Sequence, residues 1–261
     1  MKRLLTLKGR HYRTVPLTSP GYAEEDLELD LDRTALISLH CWNVGCPENP
    51  LDENFWVYMG FPEVTEEAHR IIREVIGPAI DMARRVGMLV CHVQSASIAR
   101  KYPQNLVEDV PNPSAGYRPS KPAIPGHQRK ILERSHGASY MERPPLRKSD
   151  FPREVAPLPG EPVVYTSEQL DYVARRRGVV NLIYTGFAAD MCLLFAPGGI
   201  RDMAELGYRI LLIREATLGI EMPDWFRERV ATRWAIRFVE THYGDTISFK
   251  DFINGLSLFK R

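Results

Sequence analysis

The stretch NLIYTGFAADMC, Asn181 to Cys192, decides how this chain is read. NLIYTG is a compact apolar run closed by Gly186, the pattern of a strand buried on both faces. A tight turn follows, and a helix is predicted from about Asp190. Cys192 then sits in the first helical turn, where free amides and the positive dipole end favour a thiolate. The same amides can cradle an oxyanion after attack on a carbonyl. The plain alternative is a buried structural cysteine, since free cysteines are common in cores.

Working outward, strands and helices alternate. SEQLDYVARRRG precedes the stretch as a helix, with Ser167 as its predicted N-cap and Gly178 beyond its end. PVVYT, before that, is a short strand. After the cysteine, ADMCLLF to Gly207 reads as a helix, YRILLI as a strand, and Pro223–Tyr243 as an amphipathic helix with Trp225, Val230, Trp234, Ile236 and Phe238. DTISF is a last short strand. Toward the N-terminus, TALISLH and MLVCHVQ are strands flanking a helix over Thr65–Val86 that Gly77-Pro78 should kink or divide. The pattern predicts a three-layer α/β fold, a parallel sheet of six strands with helices on both faces.

Two regions stand outside the alternation. Residues 1–33 read as an N-terminal arm, in which LELDLD alternates like an edge strand or a solvated segment. Residues 101–162 hold twelve of the twenty prolines, so an irregular excursion over about 101–161 is expected, with a short helix near Lys130. Such an excursion is expected to be a lid, a binding segment, an oligomer arm or else disordered. The whole, residues 1–261, is expected to be one domain.

With 34 basic and 33 acidic residues the net charge is +1, so no bulk field draws nucleic acid or an anionic membrane. No apolar run approaches a membrane span, and Met1–Tyr12 lacks the apolar core of a secretory signal. Cys41, Cys46, Cys91 and Cys192 form no paired framework and read as free thiols, which suggests a cytoplasmic setting.

GFAADMC resembles the nucleophile motif of the isochorismatase-like cysteine hydrolase superfamily, in which a glycine, an apolar residue and two small residues precede Asp/Asn-x-Cys. RTALISLHCWN, LDYVARRRGVVNLIYTG and IRDMAELGYRILLIREAT are similar to the family's surrounding strands and helices. The similarity covers about Arg33–Ser95 and Pro162–Gly255. It implies the strand order 3-2-1-4-5-6, a cis peptide between Phe187 and Ala188, homo-oligomers (dimers or tetramers) and hydrolysis of small amides by an Asp–Lys–Cys triad. His40 stands where the family has its aspartate, and Thr166 is the nearest equivalent of its lysine.

Three readings follow. His40 serves as base for Cys192; or Lys121, Lys130 or Lys148 from the excursion completes the site; or the scaffold is a catalytically silent binder of small molecules. The expected oxyanion donors are backbone groups of Phe187, Ala188 and Cys192, and the expected pocket residues are Trp42, Asn43, His92, Gln94 and Thr166. Trp42, Phe55, Trp56, Tyr58 and Phe61 wall an apolar pocket or pack beneath a loop. His40, Cys41, Cys46 and His92 are metal-ligand types whose spacing matches no closed zinc pattern, so no metal is assigned. Without a G-x-G-x-x-G or P-loop pattern, no cofactor is expected.

Overall fold

The computed structural model describes residues 2–51, 58–107, 124–138, 140–142 and 147–259. Its strands are β1 (Leu4–Arg13), β2 (Gly21–Asp30), β3 (Thr34–Leu39), β4 (Leu89–Val93), β5 (Val163–Val164), β6 (Asn181–Phe187), β7 (Arg209–Leu218) and β8 (Gly244–Ile247). They form one sheet in the order β2-β1-β8-β7-β6-β3-β4-β5. The expected six-stranded, wholly parallel sheet is therefore corrected to an eight-stranded mixed one. Strands β3 to β8 run parallel in the order the resemblance implies; the additional pair is antiparallel.

That pair is built from the arm. In LLTLKGRHYR, Leu5 and Leu7 are buried between exposed neighbours, and they face Leu29 and Leu27 across the hairpin. Leu5 and Leu7 cover the helix Phe249–Ser257, whose Gly255 meets them so closely that a Cβ there would stand 2.8 Å from a Leu5 methyl. β2 is the sheet's edge, and its Glu24, Glu25, Asp26 and Glu28 discourage pairing with another strand.

The central strands bury both faces, as their unbroken apolar runs require. Leu36, Ile183, Phe187, Leu211 and Ile213 join the core beneath the helices at 62–85 and Phe249–Ser257. Ala35, Ile37, Leu182, Tyr184 and Leu212 join the opposite core. Fully burying one such side chain contributes about 1.5–3 kcal/mol, so the two faces together dominate the stability of the sheet.

Proline and glycine set the helix boundaries. Helix Pro62–Ile71 passes through a π turn, Ile72–Ile76, into Gly77–Arg85. The Gly77 amide reaches back to the Ile72 carbonyl, and the wider turn falls next to Pro78, which has no amide to donate. The helix after Cys192 is likewise divided, into Cys192–Phe195 and Ile200–Glu205, because Pro197 and the left-handed Gly198 lie between. The amphipathic helix expected over 223–243 begins at Val230, so Trp225 lies before it. Its buried side is Thr232, Ala235, Val239 and Glu240; Val230 and Trp234 are exposed, contrary to the expected apolar face. Within the excursion, the helix His127–His136 and a turn at Tyr140–Glu142 are described. Among the described residues, no helix is long and apolar enough to cross a membrane.

Candidate active site

β3 and β6 are neighbours at the point where the strand order reverses, the position at which open α/β sheets bind ligands. Pairing continues to Leu39 and Gly186, so the chain leaves both strands side by side. His40 follows the end of β3; Phe187 closes β6, and Ala188 and Cys192 follow it. The Phe187–Ala188 peptide is cis, as the resemblance implies.

A cavity of about 230 Å³ opens there, lined by His40, Trp42, Tyr58, Met59, Tyr140, Phe187, Ala188, Met191, Cys192 and Ile220. Two larger grooves, of about 380 and 430 Å³, lie at the opposite ends of the strands, and neither is lined by a cysteine or a histidine. The chemistry is concentrated in the smaller, apolar space.

Cys192 begins a four-residue helix, too short for the full macrodipole expected from the sequence. Burial pushes its thiol up and the nearby Asp190 carboxylate adds to this, while a hydrogen bond from the Ala188 amide acts the other way. Among the described residues, no backbone carbonyl accepts the Cys192 amide. Asp190 accepts the Ile220 amide at 2.9 Å, which brings the segment after β7 to the cavity wall.

His40 is held in the left-handed region, φ 49°, a conformation in which histidine is enriched. Its amide continues the sheet by donating to the Val93 carbonyl at 3.0 Å. Its Nδ1 is buried with no hydrogen-bond partner, and burial pulls its pKa down to about 4. The ring is therefore neutral at physiological pH. The Trp42 ring lies beside it at 5.2 Å, and Tyr58 continues the wall at 5.4 Å from Trp42.

Of the five pocket residues expected from the sequence, only Trp42 lines the cavity. Gln94 stands behind it, accepting the Trp42 indole N–H at 2.8 Å and donating to the Cys41 carbonyl at 3.5 Å. Asn43 clamps the loop, its Oδ1 accepting from Asn49 and from the Asp150 amide. His92 is fully buried against Glu161, at 2.9 Å, and Arg84 also donates to that carboxylate. Thr166 caps the helix Ser167–Arg176 in a reciprocal pair with Gln169, taking the N-cap role expected of Ser167. Strand-end polar residues are needed to hold backbone and loops, and this use claimed four of the five.

The other metal-ligand types also separate: Cys41 accepts from Ser38, and Cys46 lies 3.6 Å from His69. Lys130 and Lys148 are exposed and do not line the cavity; Lys121, Phe55 and Trp56 lie outside the described residues. Phe61 packs against the core. Sequence reasoning missed Met59, Tyr140, Met191 and Ile220 as lining residues. For Met191 and Ile220 a signal exists, since both lie just past a strand end at the switch point. Nothing local marks Tyr140, which the excursion brings in.

No family model matches the sequence. A curated relative, the ureidoacrylate amidohydrolase RutB of Azorhizobium caulinodans, is 30% identical over 106 residues, 38% of this chain. The match spans 43% of that protein's length. The cysteine hydrolase of Pseudomonas syringae pv. phaseolicola superposes with a TM-score of 0.55 over 88% of this chain and 95% of that one, at 14% identity. An isochorismatase family protein of Desulfovibrio vulgaris superposes with a TM-score of 0.53 over 86% and 98%, at 18% identity. The chain has the isochorismatase-like fold. Within that fold it presents a cysteine and a neutral histidine in an apolar cavity whose described lining carries neither carboxylate nor ammonium.

Proposed function

We propose that this isochorismatase-like protein hydrolyses a small, uncharged amide through Cys192, with His40 as its base. The observation that carries this is the placement of both side chains on the wall of one cavity, at the switch point of the sheet. Burial keeps the thiol protonated and the imidazole neutral, which disfavours a standing thiolate–imidazolium pair. The proton therefore passes from Sγ to His40 as sulfur bonds to the carbonyl carbon. The amides of Ala188 and Cys192 hold the developing oxyanion, and Phe187 supplies the turn that aims them. The C–N bond then breaks as His40 returns the proton to the leaving nitrogen. Water, deprotonated by His40, splits the thioester to acid and free thiol.

Trp42, Tyr58, Tyr140 and Phe187 favour a flat apolar acyl group. The test is ammonia release from a panel of uncharged primary amides. Release by the wild type and its loss in Cys192→Ser supports the reading.

The missing triad partners favour a second reading, a binder without catalysis, since the described lining offers no charged group to drive proton transfer. Saturable binding of panel members, with no ammonia release above Cys192→Ser, would select it.

A further inference from the structure

We propose that His11, Glu25 and Asp245 bind one divalent transition-metal cation, of the manganese or zinc class, where the N-terminal hairpin meets the parallel sheet. The residues come from β1, β2 and β8, three adjacent strands. By the alternation of each strand they share the face that buries Leu5, Leu7, Leu27, Leu29 and Ile247. That face is apolar toward the helix Phe249–Ser257 and ends in this polar cluster.

The geometry suits a cation better than it suits direct contact. One ligand atom from each residue lies within 4.8 Å of the other two. His11 Nδ1 and Asp245 Oδ1 are 3.6 Å apart. That exceeds an ordinary N–H···O hydrogen bond of about 2.7–3.2 Å. It is near the roughly 3.4 Å between two ligands on a tetrahedral ion with bonds of about 2.0–2.1 Å. Glu25, on the exposed edge strand, forms no ion pair with any described residue. One imidazole and two carboxylates make a donor set for borderline divalent ions.

The charges also lean this way. Glu25 and Asp245 bring two carboxylates within 4.8 Å of each other. Arg209 is extended toward the Glu28 carbonyl, at 3.4 Å, and Glu240 is paired with Arg10. A cation between Glu25 and Asp245 relieves their repulsion directly. The ligands need little ordering, because the strands already fix their register, Gly9 opposite Glu25 and Arg10 opposite Thr246. That last pair is also the one registered pair between β1 and β8. A shared ion would therefore tie the hairpin to the sheet. Asp245 lies at the start of β8, away from the Cys192 cavity, so this inference does not rest on the hydrolase reading.

The test is calorimetric titration of the full chain with MnCl2, with thermal unfolding alongside. Manganese is chosen because thiolates select softer ions, so the four cysteines do not compete. One Mn2+ per chain, a raised Tm and at least tenfold weaker binding in both His11→Ala and Glu25→Gln are expected. Glu25 is exposed and His11 half-buried, so both variants keep the core; circular dichroism checks this. Absence of saturable binding to the wild type, or undiminished affinity in either variant, would overturn the proposal.

Discussion

Gly186 lies so close to Leu39 that any side chain at position 186 would collide with the Leu39 backbone. A Cβ there would meet the carbonyl oxygen and stand 2.8 Å from the carbonyl carbon and 2.9 Å from the amide nitrogen. The residue also holds φ +116°, outside the comfortable range of other residues. This approach keeps β3 and β6 paired as far as Leu39 and Gly186, and so brings His40, Phe187 and Ala188 to the wall of one cavity.

Gly186→Ala is therefore expected to cost about 3 kcal/mol or more, since backbone cannot yield as a side chain does. Gly207→Ala is the control. Its φ is +88°, but a Cβ there meets nothing within 4 Å, so about 1–2 kcal/mol of left-handed strain is the whole cost. Chemical denaturation of both variants measures the difference, and equal losses would remove the steric argument.

Cys192 should alkylate slowly at neutral pH. Burial raises its thiol and the Ala188 hydrogen bond offsets only part of that. Its reaction with iodoacetamide, followed by peptide mass, is expected to titrate above the ordinary value of about 8.5. Cys41 and Cys91, fully buried and pushed up to about 12, should stay unmodified in the native chain. A Cys192 that reacts fully at pH 6 would mean that a cation outside the described lining supports its thiolate.

His40 should make the fold acid-sensitive. Its pKa is about 4 when folded and about 6.5 in the open chain. Below pH 6.5 the unfolded chain takes up a proton that the folded chain refuses. The stability is thus complete above pH 6.5, declines as pH falls toward 4, and the loss is then complete. It is on the order of 3 kcal/mol at most, less where water reaches the ring. His40→Asn, which tolerates the left-handed backbone, should flatten this part of a stability–pH profile. An unchanged profile would place the acid sensitivity elsewhere, with buried His92 the next candidate.

Thr166→Ala separates a cap from a pocket residue. The side chain accepts the Gln169 amide at 3.2 Å and does not line the cavity. The variant should lose about 1 kcal/mol of stability while ligand binding in the Cys192 cavity stays the same. Weaker binding at unchanged stability would restore Thr166 to the pocket.

The motif around Cys192 and the apolar runs of β3, β4, β6 and β7 were legible because strands buried on both faces must be apolar throughout. The arm was harder. Leu5 and Leu7 alternate with polar residues as plainly as Leu27 and Leu29 do, but Gly9 and the charged residues after it obscure the strand's far half. His92, Gln94 and Thr166 looked like pocket residues because polar groups at strand ends suit a ligand. They suit a carboxylate, an indole and a helix terminus equally well, and sequence spacing does not distinguish these uses.

The amino-acid order by itself determined the alternation of strand and helix and the tight turn before Cys192, and it put His40 and Thr166 where the resemblance has an aspartate and a lysine. These are local matters of periodicity, backbone freedom and residue identity. Tertiary structure alone decided that the arm joins the sheet as a hairpin, that Tyr140 closes the cavity and that His11, Glu25 and Asp245 converge. It also decided that burial pulls the His40 pKa down and pushes the Cys192 thiol up. Charge state and neighbourhood depend on which distant surfaces exclude water together, and that is set only when the layers pack.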